Sequence, residues 1–153
     1  MLIIPALSLF LASTNAQGIG LQETRLKAEK GDALSQLYLG VMYGLGKGVE
    51  RDYAEAAKWY RKAAEQGDAL AQFSLGEMYR LGKGVEKDYA EAYAWLNLAA
   101  NRHETAGKTR DALEKRMSQQ QVADAQKRTK ELKRLIEEKQ KSTNAAIRVP
   151  ARP

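Results

Sequence analysis

The chain has no cysteine, which removes disulfides, zinc–thiolate sites and cysteine nucleophiles from consideration. Its one histidine is His103. With no second histidine to complete a His-Glu-x-x-His or paired-histidine set, it assembles no metal ligand set, and a lone histidine near a helix end is expected to make a contact with the helix dipole. Ser-x-x-Lys, a nucleophile–base spacing, is absent. Gly44-Leu45-Gly46-Lys47-Gly48 lacks the four-residue spacer, the Ser/Thr and the preceding strand of a phosphate loop, so these glycines are expected to form a turn. With no catalytic group, metal or cofactor signature, the expectation is a non-enzymatic protein.

Charge is missing from residues 1–20. Met1 to Ala12 is nearly all apolar, and the small residues Ser13 to Gln17 follow, with a cleavage point expected after Ala16. An apolar core of about 11 residues fits a secretory signal peptide and falls short of the roughly 20 that a spanning helix needs. Residues 1–16 are therefore expected to be a signal, although no Lys or Arg precedes the apolar run, and the protein is expected to be exported, periplasmic or secreted.

The formal net charge is +6, and it is unevenly placed. Residues 21–100 carry 11 Lys/Arg against 12 Asp/Glu, whereas residues 101–153 carry 14 against 7. The first stretch thus has no basic stripe for nucleic acid, and the basic excess belongs to the C-terminal third.

The chain copies itself at a period of 36 residues: between 31–66 and 67–102, 23 of 36 positions are identical. Gly31-Asp32-Ala33-Leu34 returns as Gly67-Asp68-Ala69-Leu70, and Asp52-Tyr53-Ala54-Glu55-Ala56 as Asp88-Tyr89-Ala90-Glu91-Ala92. A repeat of this length is one supersecondary unit stacked on its neighbours. Each copy predicts two helices: helix A over about 33–43 and 69–79, capped by Asp32 and Asp68, and helix B opening at capping boxes Asp52-x-x-Glu55 and Asp88-x-x-Glu91. Ala28-Glu29-Lys30-Gly31 matches Ala64-Glu65-Gln66-Gly67, so residues 22–30 are expected to be half a repeat, a lone helix B. Gly40 and Gly76 sit mid-helix, where glycine costs about 1 kcal/mol relative to alanine; close approach of the alanine-rich helix B is the expected compensation. Trp59 and Trp95 are expected in the core.

Comparing the copies separates a packing face from a free one. On helix A the changed positions cluster between about 180° and 300° of the helical wheel, taking Ser35 as zero. Leu37, Tyr38, Val41, Phe73, Ser74, Glu77 and Arg80 on this arc are the candidate partner-binding residues.

Leu39-Gly40-Val41-Met42-Tyr43, then Gly46-Lys47-Gly48-Val49, then Asp52-Tyr53-Ala54-Glu55-Ala56-Ala57-Lys58-Trp59 resembles the Sel1-like repeat, a relative of the tetratricopeptide repeat. The resemblance covers about residues 22–100 and implies an all-α fold, a short right-handed α-solenoid with a C-terminal capping helix. It further implies a scaffold or adaptor for other proteins in the bacterial cell envelope. After Ala100 the pattern lapses at His103, Asp111, Ala112 and Lys115.

Ser118-Gln119-Gln120-Gln121 is a capping-box start, and Val122, Ala125, Thr129, Leu132 and Ile136 then form one apolar stripe. Residues 103–139 are expected to be capping or amphipathic helices and 140–153 a disordered basic tail. A second expectation places this basic segment on anionic lipid or envelope polymer. A monomer or weak oligomer is expected.

Overall fold

An aspartate caps each of four helices. Asp32 accepts from the Ser35 amide at 2.8 Å and Asp68 from the Ala71 amide at 2.7 Å. Asp52 accepts from the amides of Ala54 and Glu55 at 2.9 and 3.0 Å, and Asp88 from those of Ala90 and Glu91 at 2.8 and 3.0 Å. Each such cap contributes about 1 kcal/mol. The computed structural model describes residues 20–147; the expected signal segment 1–16 lies outside them. Helix α1 covers 20–29, followed by α2 (Ala33–Leu45), α3 (Tyr53–Ala64), α4 (Ala69–Leu81), α5 (Tyr89–Ala99), α6 (Glu104–Glu114) and α7 (Gln119–Ile147). The fold is an all-α solenoid of helix pairs.

Two local expectations need correction. The A helices α2 and α4 run to Leu45 and Leu81 because the left-handed residues that end them are Gly46 and Gly82, at φ 69° and 67°. The capping boxes of α3 and α5 are only half made. The backbone amides of Asp52 and Asp88 donate to the carbonyls of Tyr43 and Tyr79 instead. Their glutamates are engaged elsewhere, Glu55 with Lys58 and Glu91 with Trp95 and Arg128. At α7 the box is complete: Ser118 Oγ accepts from the Gln121 amide at 3.2 Å, and the Ser118 amide donates to Gln121 Oε1 at 2.8 Å.

Tertiary bonds recur at the period of the sequence. Gln36 Nε2 donates to the Ala28 carbonyl at 2.9 Å, as Gln72 Nε2 does to Ala64 at 3.1 Å. Arg25 reaches the Tyr43 hydroxyl as Arg61 reaches that of Tyr79. Helix α1 therefore meets α2 as α3 meets α4. Trp95 is fully buried and Trp59 is 8% exposed. Gly40 and Gly76 do lie where helix B approaches closely, but the neighbours are the Tyr60 ring and the Leu96 side chain with the Ala92 carbonyl, not a face of alanine methyls.

Helix α7 lies along α5 and reaches α3. Leu132 and Ile136 share a core cluster with Ala57, Ala63, Ala94 and Trp95, and Ala125 joins Tyr93 and Leu96. Arg128 pairs with Glu91, Lys139 with Glu65 at 2.9 Å, and Gln140 donates to the Gln66 carbonyl at 3.1 Å. The apolar stripe is thus spent on the B helices of both units. Residues 140–147, expected as disordered tail, continue the helix, with Ser142 and Thr143 hydroxyls donating to the Lys139 carbonyl.

Candidate functional site

Where α4 of the second unit meets the α2–α3 pair of the first, a groove of about 270 Å³ remains. Tyr60 from α3, Phe73 and Met78 from α4, and Leu45 and Leu81 from the helix ends supply its apolar surface; Ser74 and Glu77 supply polar atoms. Leu45 is 67% and Leu81 46% exposed, a large apolar exposure at the ends of two neighbouring helices. Burial pushes the Tyr60 phenol up, the Ser74 hydroxyl beside it pulling the other way, so the ring presents a neutral, half-buried surface.

Charge on this face is arranged asymmetrically. Glu77 is held in a two-pronged fork by Arg80, Nε to Oε1 at 2.8 Å and Nη2 to Oε2 at 2.7 Å, so it offers little field of its own. At the other side Tyr53 carries two cations over its ring, the Arg51 guanidinium at 5.5 Å and the Lys83 ammonium at 5.7 Å from the centroid. Those cations come from the turns of successive units.

Of the seven residues singled out from the sequence, the groove collects three: Phe73, Ser74 and Glu77. Tyr38 is 56% exposed and Val41 half-buried, both away from the groove, and Arg80 contributes through Glu77. Leu37 is corrected outright. It is 8% exposed and packs in one cluster with Ala71 and Leu75 of the next unit, so it is part of the core between units. Phe73, its counterpart one repeat on, meets α6 there. Its ring stacks on His103 with centroids 4.3 Å apart and planes 17° from parallel.

His103 is likewise reassigned. It sits at the start of α6, where its Nδ1 accepts from the Ala106 amide at 3.3 Å; the side chain is an N-cap, not a partner for the end of the preceding helix.

Comparing the copies on helix A missed Leu45, Tyr53, Met78, Leu81 and Lys83, because a face can be free and still be occupied by repeated residues. Tyr60 carries a usable signal: it becomes Leu96 in the second copy, so helix B varies between copies as helix A does. Among the described residues, no three His, Cys, Asp or Glu side chains group as a metal site and no buried side-chain N or O lacks a hydrogen-bond partner. No described helix is long and apolar enough to cross a membrane.

The Sel1 repeat pattern matches residues 33–68 and 69–103. Among solved structures, c5321, a protective antigen present in uropathogenic Escherichia coli strains displaying an SLR fold, superposes with a TM-score of 0.73 at 33% identity, covering 87% of this chain and 28% of that one. A Sel1 repeat protein from Oxalobacter formigenes gives a TM-score of 0.58 at 42% identity, covering 59% of this chain and 26% of its own. The chain thus spans between a quarter and a third of the length of these two proteins. No curated protein matches it significantly.

Proposed function

Residues 33–103 belong to the Sel1 repeat family, and from that membership we propose that the protein is a non-enzymatic adaptor of the bacterial cell envelope that holds a protein partner in the groove between its two repeats. Sel1 repeats form protein-interaction scaffolds, and a solenoid offers surface in place of an enclosed pocket. The observation that carries the assignment to this face is the exposure of Leu45 and Leu81 beside Tyr60 and Phe73 in one concavity. Apolar surface gathered in this way is where a partner gains from burial. Export rests on the uncharged apolar segment that opens the sequence.

The test is affinity capture from envelope extract with the full chain and with Ser74→Arg, which places a long charged side chain in the groove. A discrete protein lost with Ser74→Arg and kept with Tyr38→Ala supports the groove. A partner that ignores Ser74→Arg and is lost with Tyr38→Ala returns the site to the outer arc of α2. Sequencing the mature N-terminus in a fractionated cell tests export: an uncleaved chain in the cytosol sinks it.

A second reading, attachment to anionic lipid or polymer, draws on the exposed Lys127, Lys130, Lys133 and Arg134 of α7. Glu131, Glu137 and Glu138 are interleaved with them and exposed too. The apolar stripe faces inward, which leaves Leu135 as the exposed large apolar side chain of α7, so this face offers charge with little apolar surface to wedge into a membrane.

A further inference from the structure

We infer that the groove recognises a protein segment in which a bulky apolar side chain is flanked by acidic residues. The inference rests on the reading of the groove as the partner site and names the chemistry of that partner. Its volume of about 270 Å³ is just under the roughly 300–1,000 Å³ of small-molecule pockets. Its open apolar floor of Tyr60, Met78 and Leu81 suits an inserted side chain better than a free cofactor.

Charge decides what surrounds that side chain. Arg51 and Lys83 converge on the Tyr53 ring at the groove's edge, and neither forms an ion pair among the described residues. The groove's one lining carboxylate, Glu77, is already matched by Arg80. An arriving segment therefore meets two cations that sit in no ion pair next to an apolar seat, and a carboxylate beside the anchor is the complementary group. The turns that carry the two cations are in contact. Gly84, next to Lys83, packs directly on the backbone of Tyr53, the second residue after Arg51. Both cations are reachable by solvent, so salt is expected to weaken the contact.

Fluorescence anisotropy with three labelled 12-residue peptides tests this on the full chain. They share a Phe-Leu anchor and differ only in flanks of Glu, Ser or Lys. The Glu peptide is expected to bind about fivefold tighter than the Ser peptide, the Lys peptide weakest, with the preference shrinking from 50 to 300 mM salt. Arg51→Glu with Lys83→Glu is expected to reverse the order. Ser74→Arg is expected to abolish binding, and Leu45→Gln, at a position exposed enough to leave folding intact, to weaken it severalfold. Equal affinity for all three peptides, still blocked by Ser74→Arg, overturns the acidic partner and leaves the groove standing. Binding that neither groove variant affects, or no binding of any peptide at millimolar concentration, overturns the groove as well.

Discussion

The α-carbon of Gly84 lies against the backbone of Tyr53, so close that a methyl group built there would overlap the Tyr53 carbonyl. The turn of the second repeat is thereby seated on the first turn of α3. Gly48 occupies the same place in the first copy, also at positive φ (74° against 70°), yet meets only the Met42 methyl at 3.4 Å.

Gly48→Ala and Gly84→Ala should therefore differ although the motif is the same. Alanine at Gly48 carries the left-handed penalty of about 1–2 kcal/mol. At Gly84 it carries that penalty and must also push two backbone segments apart, for a total of about 3 kcal/mol or more. Urea unfolding of the two variants checks this; equal midpoints would refute the seating of the second turn on α3.

Gly40→Ala is a sharper probe of the groove than of stability. A Cβ there stands 2.5 Å from Tyr60 Cδ1, so the ring must swing, and Tyr60 lines the groove. The helix gains about 1 kcal/mol from losing glycine, which offsets part of the clash. The expected outcome is a stability change within about 1–2 kcal/mol with a clear shift of the Tyr60 ring resonances in the NMR spectrum.

Asp32 sets an acid limit on α2. Hydrogen bonds from the Ser35 side chain and then its amide hold the Asp32 carboxyl below its usual value. A carboxyl depressed in the folded state stabilises above its unfolded value of about 3.9, and that contribution is lost as pH falls through the folded value. Asp32→Asn keeps an acceptor at the cap but has no charge to lose. Between pH 7 and pH 3 its urea midpoint should fall less than that of the parent chain.

Leu132→Ala should cost about 2 kcal/mol or more, as large-to-small changes in a packed core do, because Leu132 is 6% exposed and shares a cluster with Trp95. Lys133→Gln, on the outer face, should change stability by less than about 0.5 kcal/mol. Ending the chain at Met117 would uncover the same cluster, and intrinsic fluorescence of the fully buried Trp95 should shift to the red. Attachment through the basic face is better tested by replacing Lys127, Lys130 and Lys133 with Gln, which leaves that packing intact; unchanged sedimentation with anionic vesicles would dismiss it.

Much of the architecture was legible because it is local and periodic. Asp32, Asp52, Asp68 and Asp88 announce helix starts by chemistry that needs only the next three residues. Recurrence at 36 residues implies similar units meeting in similar ways, and the Arg25–Tyr43 and Arg61–Tyr79 pairs are one such recurring contact. The half-made boxes at Glu55 and Glu91 escaped because the Asp52 and Asp88 amides bond to the carbonyls of Tyr43 and Tyr79 on the preceding helices, and Glu91 also pairs with Arg128 of α7. The groove was legible only in part: Phe73, Ser74 and Glu77 vary between copies, while Leu45, Leu81 and Lys83 are ordinary members of the turn.

The repeating helix pair, its caps and its turns follow from residues near one another, and the lack of cysteine from a count. Which faces stay open depends on contacts between distant parts of the chain. Leu37 and Phe73 share a register, yet the second unit buries one and α6 stacks His103 on the other. Gly48 and Gly84 share a motif, yet one faces a flexible methyl and the other a backbone. The stripe of α7 could have met a partner and instead covers Trp95. Exposure belongs to the neighbours a residue acquires from distant parts of the chain, and a finite stack gives its first, middle and last units different neighbours.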